Sequence, residues 1–472
     1  MKRTDGARRA IAANRFGLGA RPGELEAVGS DPAGWLTAQL GRRRPLPAEL
    51  ADVRPSHEQL AATQAMFAER LRERRKLERM SESERRSLLR SRRRDFRMAQ
   101  QKSYVAGAAA RTLAAVNSSE PFRERLIHFW SNHFTVSVLG EPLLAGAAVS
   151  FENEAIRPYV AGRFVDMLLA VETHPVMLIY LDNHTSIGPH SIAARRSRGR
   201  RRGLNENLAR EILELHTLGV DGGYTQEDVT TFAKVISGWT VGRDGRRPSG
   251  ARPGRFAFLA PAHEPGRKQL LGRSYADAGF EQGVAVLRDL ARHPSTARFI
   301  ATKLARHFVA DDPPEPVVDR LARVFRETEG DLARVSAELV AAPEAWRQPA
   351  SKLKTPQELV VSGFRAIGAR AAPQRELLGS LELLNQRPFS APSPAGWGDT
   401  AASWDGADAL LKRIEWGAAF GARHRQGPSP EEITRSALGP LASARTATAV
   451  SRAQSRRQGL VLLLSSPEFQ RR

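Results

Sequence analysis

Proline and glycine cut this 472-residue chain into short helical lengths, and that punctuation constrains its fold more than any other feature. Apolar residues recur at helical spacing along most of the sequence. The runs break at Gly188-Pro189, at Pro313-Pro314, at Pro356 and in the loop Arg387–Gly398. Plentiful Ala, Leu and Arg favour helices because they lose little rotamer freedom there. A hydrophobic fraction of 41% is enough to bury a sizeable interior. The fold expected is mainly α, a large multi-helix, bundle-like domain. Only residues 241–275, around Phe256-Ala257-Phe258-Leu259, change character, and they predict a small β-hairpin or ordered loop near 250–275. On this reading, residues 1–56 form an N-terminal loop with short helices and 57–100 a charged helical arm. Residues 101–472 form the main helical domain, carrying a flexible Arg-rich loop at 184–204 and a hairpin insertion at 241–275.

The absence of Cys excludes disulfides, thiolate nucleophiles and Cys-ligated metal centres. No stretch approaches the ~20 apolar residues needed to span a bilayer. The first residues carry basic side chains but no apolar segment of leader length, so a cytoplasmic chain is expected, with periplasmic export left open. The formal charge of +21 is local. Residues 72–97 hold twelve Arg/Lys against five acids, and residues 195–202 add six Arg, so two short segments carry thirteen of the twenty-one charges. The first mixes Glu with Arg at helical spacing, and the wider stretch from about His57 to Arg97 has only sparse apolar positions (Leu60, Met66, Leu71, Leu77, Leu88 and Leu89), the pattern of a solvated arm. With Phe96 as its one aromatic, the first segment lacks the interleaved rings that stack bases, which speaks against nucleic acid; an acidic polymer is the alternative partner.

The densest stretch runs from Asn205 to Trp239: a predicted helix over Glu206–Leu218, a glycine turn and a second helix over Gln226–Ser237. Thr225 and Asp228 have the spacing of a capping box, and Gly219 fits the left-handed position after a helix end. At ~100° per residue, Asn207, Arg210, Glu211 and Glu214 fall on one face, Leu208, Ile212 and Leu215 form the buried stripe, and His216 lies opposite Asn207. Glu206, Glu211 and Glu214 are therefore candidate general acids or bases. Asn207, Arg210, Tyr224 and Trp239 are candidate substrate-binding groups. The bland alternative is a solvated face laced by an Arg210–Glu214 pair. A predicted helix from about Val105 to Phe134 carries His133 between Trp130 and Phe134. As a functional residue His133 is a general base or metal ligand; as a structural one it donates to a backbone carbonyl. His128, about 140° away on the helix, shares no chelating face with it. The sequence contains no metal-ligand spacing, nucleophile elbow or phosphate-binding loop, so neither a cofactor nor a metal is named by it.

The segments Arg15-Phe16-Gly17-Leu18-Gly19, Phe129-Trp130-Ser131-Asn132-His133-Phe134 and Asn205-Glu206-Asn207-Leu208-Ala209-Arg210-Glu211 resemble the bacterial family catalogued as domain of unknown function 1800. So do Leu215-His216-Thr217-Leu218-Gly219, Gly238-Trp239 and the terminal Ser466-Pro467-Glu468-Phe469-Gln470. The resemblance implies a mostly helical protein whose gene often lies beside one for a sulfatase-like protein. It assigns no catalytic residue. The expected function is a hydrolase-like enzyme acting on an anionic or carbohydrate-containing substrate through the Glu/Arg/His cluster. The alternative is a non-enzymatic binding or assembly partner of the sulfatase-like neighbour.

Overall fold

A computed structural model describes residues 2–41, 44–72, 80–141, 143–196, 203–243, 251–347, 350 and 352–472. Most of the second basic segment, at 197–202, and part of the first, at 73–79, lie outside the described residues. The architecture is helical, with two two-stranded antiparallel sheets among the described residues. No helix among them is long and apolar enough to cross a membrane.

The N-terminal helix α1 (Lys2–Ile11) runs straight into a buried π turn over Ala12–Phe16. There Asn14 donates to the carbonyls of Ala10 and Ala437, and Arg15 to that of Ala345. Gly19, at φ 95°, lies so close to Ser362 that a Cβ would sit 2.6 Å from its side chain. The Arg15–Gly19 motif thus stitches distant parts of the chain together. Next come α2 (Ser56–Arg72) and α3 (Glu82–Asn117), which opens on a Ser81/Glu84 capping box. The first half of α3 is exposed, whereas a stripe including Gly107, Ala108, Ala109, Ala114 and Ala115 buries its second half. The arm therefore runs into the body without a break, and residue 100 falls inside this helix.

The helix expected from Val105 to Phe134 is two helices. The first ends at Asn117, and Pro121, which cannot continue a hydrogen-bond ladder but suits a first turn, opens α4 (Pro121–His133). Beyond it lie α5 (Phe164–Glu172) and α6 (Asn207–Glu211). The predicted Glu206–Leu218 helix is present, but its second half, Ile212–Thr217, is a π turn in which the amide of Leu218 donates to Leu213. The turn rotates the buried stripe: Leu213, His216 and Thr217 go inside while Leu215 is only half-buried. The capping box at Thr225 and Asp228 opens α7 (Gln226–Val235), and Gly219 has φ 86°.

Strands β1 (Trp239–Val241) and β2 (Phe256–Phe258) pair antiparallel, with Trp239 opposite Phe258. A separate hairpin joins β3 (Lys268–Leu270) to β4 (Arg273–Tyr275) through Leu271 and Gly272, both at positive φ. The insertion thus holds two strand pairs where one hairpin was expected. Three further helices position the site: α8 (Phe280–Ala291), α9 (Pro294–Phe308) and α10 (Pro356–Ala366). One large core gathers apolar residues from Ile11 to Ala345, including Trp130, Phe134, Phe164 and Trp239. A second gathers Leu359, Phe364, Trp416, Phe420 and Leu460, with Leu18, Ala115 and Val116 from the N-terminal part of the chain.

Candidate functional site

A cavity of about 340 Å³ is walled by α4, α9, α10 and the loop running up to Asp399 and Thr400. On α9, Ile300, Ala301, Leu304, Ala305 and Phe308 are buried at helical spacing, so Lys303 and His307, one turn apart, turn together toward the cavity. His128, Asn132 and His133 enter from α4. Glu358, on the first turn of α10, takes the amide of Thr355 in a capping box and lines the same space.

The carboxylates around the cavity are all engaged by cations. Glu358 meets Arg125 at 2.5 Å and Arg472 at 2.9 Å. Burial would raise its pKa, but these guanidiniums hold it well below the usual carboxylate range. Asp399 accepts from His307 Nδ1 at 2.7 Å and lies 3.8 Å from Lys352 and 3.6 Å from Arg472. Against the effect of burial, His307, Arg472 and Lys352 bring its pKa down to about 2. Asp311 is taken by Lys352 at 2.5 Å. Since His307 Nε2 accepts from Arg125 Nε at 3.3 Å, both ring nitrogens are occupied, and burial lowers this imidazole to about 4. His307 is a neutral strut between Asp399 and Arg125.

Lys303 is different. Among the described residues its ammonium makes no hydrogen bond and no ion pair; it lies 5.4 Å from the centre of the Phe299 ring. Burial, with Arg306 adding repulsion and Asp399 opposing it, lowers its pKa to about 8. His133 is wholly buried. Its Nε2 donates to the carbonyl of His216 at 3.2 Å, so Nδ1 carries the lone pair, and that atom has no partner among the described residues. Burial first, then the charge of Lys303, keeps this imidazole neutral.

Of the eight residues singled out from sequence, His133 alone lines this cavity. Glu206, Arg210, Gln226 and Thr230 form a hydrogen-bonded lattice between α6 and α7: Glu206 accepts from Thr230 at 2.7 Å, from Gln226 at 2.9 Å and from Arg210 at 3.3 Å. These bonds, Thr230's foremost, lower the Glu206 pKa despite slight burial. Arg210 thus pairs with Glu206 rather than Glu214, and Asn207 is exposed. Glu214 accepts from Tyr224 at 3.3 Å, and burial raises the pKa of Glu211. Trp239 is fully buried against Phe256 and Phe280. The connection between this cluster and the cavity is His216. The π turn aims its ring inward, where Nδ1 meets the buried Glu172 at 2.8 Å, while its carbonyl holds His133.

Among the described residues no group of three His, Asp or Glu side chains could hold a metal ion. Ser56, Glu154 and His174 look like a triad but are not wired as one. The Ser56 hydroxyl donates directly to Glu154 at 2.6 Å, and His174 Nδ1 accepts the amide of Val176 at 3.2 Å. The cavity residues that sequence reasoning missed are Arg125, Lys303, His307, Glu358 and Asp399. The one local signal was the Lys303/His307 pair set opposite an apolar stripe.

The family described as "Protein of unknown function (DUF1800)" matches residues 11–471. No curated protein and no solved structure matches the chain.

Proposed function

The chain belongs to this family, whose description names no reaction, and from that premise we propose that it is an enzyme acting on a small anionic ligand held in the cavity beside Lys303. The observation that carries the proposal is the lysine without a carboxylate. Lys303 is half-buried, and an ammonium partly withdrawn from water with no counter-charge beside it is costly, a cost that a bound anion offsets. Arg306 adds positive charge on the same wall, and the neutral His133 supplies a proton acceptor. Glu206, Glu211 and Glu214, the acid–base groups expected from sequence, support a hydrolytic reading less well, because none of them lines this cavity.

The test is calorimetric titration with sulfate and with glucuronate, which presents a carboxylate on a sugar ring. Saturable binding of at least one is expected, lost in Lys303→Met and retained in a Glu211→Gln/Glu214→Gln double variant. No binding by the unmodified protein, or equal binding by Lys303→Met, contradicts the proposal.

A further inference from the structure

We propose that Lys303 is a covalent attachment point, its amine condensing with the carbonyl carbon of an aldehyde or ketone ligand that also carries an anionic group. The inference rests on the anion-binding reading of the cavity and goes further by naming the bond that forms.

Three lysines surround this region, Lys352 and Lys354 buried and Lys303 half-buried, and their environments differ. Lys352 is bound to Asp311. Lys354 donates to Ser362 at 3.2 Å, lies 4.3 Å from the centre of the Phe469 ring, and does not line the cavity. Lys303 alone of the three both faces the cavity and has nitrogen protons that no neighbour among the described residues holds. An amine attacks only through its lone pair, so it must first lose a proton. With its pKa near 8, about a tenth of Lys303 is neutral at pH 7, far more than for a solvated lysine. The proton acceptor stands nearby. The ring of Phe299, over which Lys303 lies, is 6.2 Å from that of His133, whose Nδ1 lone pair is unpartnered.

The step balances without an outside oxidant or reductant. The ammonium gives a proton to His133 Nδ1. The amine lone pair forms a C–N bond to the carbonyl carbon as the C=O π bond breaks, and the new C–N nitrogen passes one of its protons to that oxygen to give a neutral carbinolamine. The hydroxyl then leaves as water, with the proton returned by His133, and a protonated imine remains. Arg306 lines the same cavity and provides charge for the ligand's anionic end.

The experiment uses the full chain with glyoxylate, and in parallel pyruvate, followed by borohydride reduction, intact mass and peptide mapping. One adduct per chain is expected, mapping to Lys303, suppressed when sulfate is present before reduction and absent from Lys303→Arg and Lys303→Met. His133→Gln should slow trapping on the order of a hundredfold and change its pH profile. Mapping of the unmodified protein needs no variant to fold. An adduct spread over surface lysines, or none at all while sulfate still binds through Lys303, overturns the imine and leaves the anion site standing. Loss of sulfate binding as well overturns both.

Discussion

Asn132 and Trp397, 265 positions apart, hold each other through two reciprocal hydrogen bonds. The Asn132 amide nitrogen donates to the Trp397 carbonyl at 2.9 Å, and the Trp397 backbone N–H donates to the Asn132 oxygen at 2.8 Å. Beside them Gly396, at φ 83°, approaches so closely that a Cβ would lie 2.5 Å from the Asn132 carbonyl. The clamp joins the end of α4 to an irregular loop and sets the direction in which Asp399, two residues on, meets His307.

Asn132→Leu is the sharpest test of that clamp. It removes both part-buried bonds, at a cost of about 0.5–1.5 kcal/mol for each. Urea unfolding should show this loss. Sulfate affinity should fall by more than the lost stability explains, because Asp399 and His307 lose their setting. Unchanged affinity in a folded variant would mean that the loop does not shape the cavity.

Glu358→Gln addresses the ion network. Glu358 compensates two buried guanidiniums at once, those of Arg125 and Arg472. Breaking a buried pair from one side costs about 3–5 kcal/mol, since the orphaned cation stays out of water. Thermal and urea unfolding should register a loss of that size. A loss under about 1 kcal/mol would place Glu358 in the solvent-screened class instead.

Local features of this fold were legible in the sequence because neighbouring residues decide them. Thr225 and Asp228 cap a helix through atoms three residues apart, Gly219 sits where only its backbone freedom fits, and α9 declares its buried face by spacing. The polar run after Asn205 was equally visible. Its geometry was not, because a regular wheel assumes 3.6 residues per turn and the π turn at Ile212–Thr217 breaks that rule. The turn sends His216 inward to Glu172. The cavity was illegible for a different reason. Arg125, Lys303, Glu358 and Asp399 come from four separate segments, and no spacing announces that their charges will meet. His133 could be read either way from sequence, and the structure gives it the carbonyl partner of the structural alternative while leaving its other nitrogen without a partner among the described residues.

Acid sensitivity follows from the three neutral histidines of the cavity. Burial holds His307 near pKa 4, and His128 and His133 well below 6.5. In the unfolded chain each binds a proton below about 6.5, which the folded form refuses. Stability should therefore be full above that pH and decline as pH falls from 6.5 toward 4, each histidine contributing up to about 1.4 kcal/mol per pH unit. Glu358 and Asp399 add their losses only at lower pH. Urea midpoints measured across pH 4–8 check this, and His128→Asn should flatten the slope by roughly one proton. A flat profile between 6.5 and 4.5 would show that these imidazoles titrate normally.

The last prediction separates stability from function at one residue. If Lys303 is a half-buried ammonium awaiting an anion, Lys303→Met keeps its volume and packing while removing the unpaired charge. The variant should be more stable than the parent, on the order of 1–3 kcal/mol at pH 7, although it no longer binds sulfate. The pH dependence supplies the sign check. With a folded pKa of about 8 against an ordinary 10.5, the folded protein releases its proton first as pH rises. The unfolded state then binds more protons, so parent stability climbs between pH 8 and 10.5. Lys303→Met should lack that share of the climb, and the two stability curves should converge by pH 10.5. A variant that is destabilised at pH 7, with a curve parallel to the parent's, would mean that Lys303 already has its partner inside the fold.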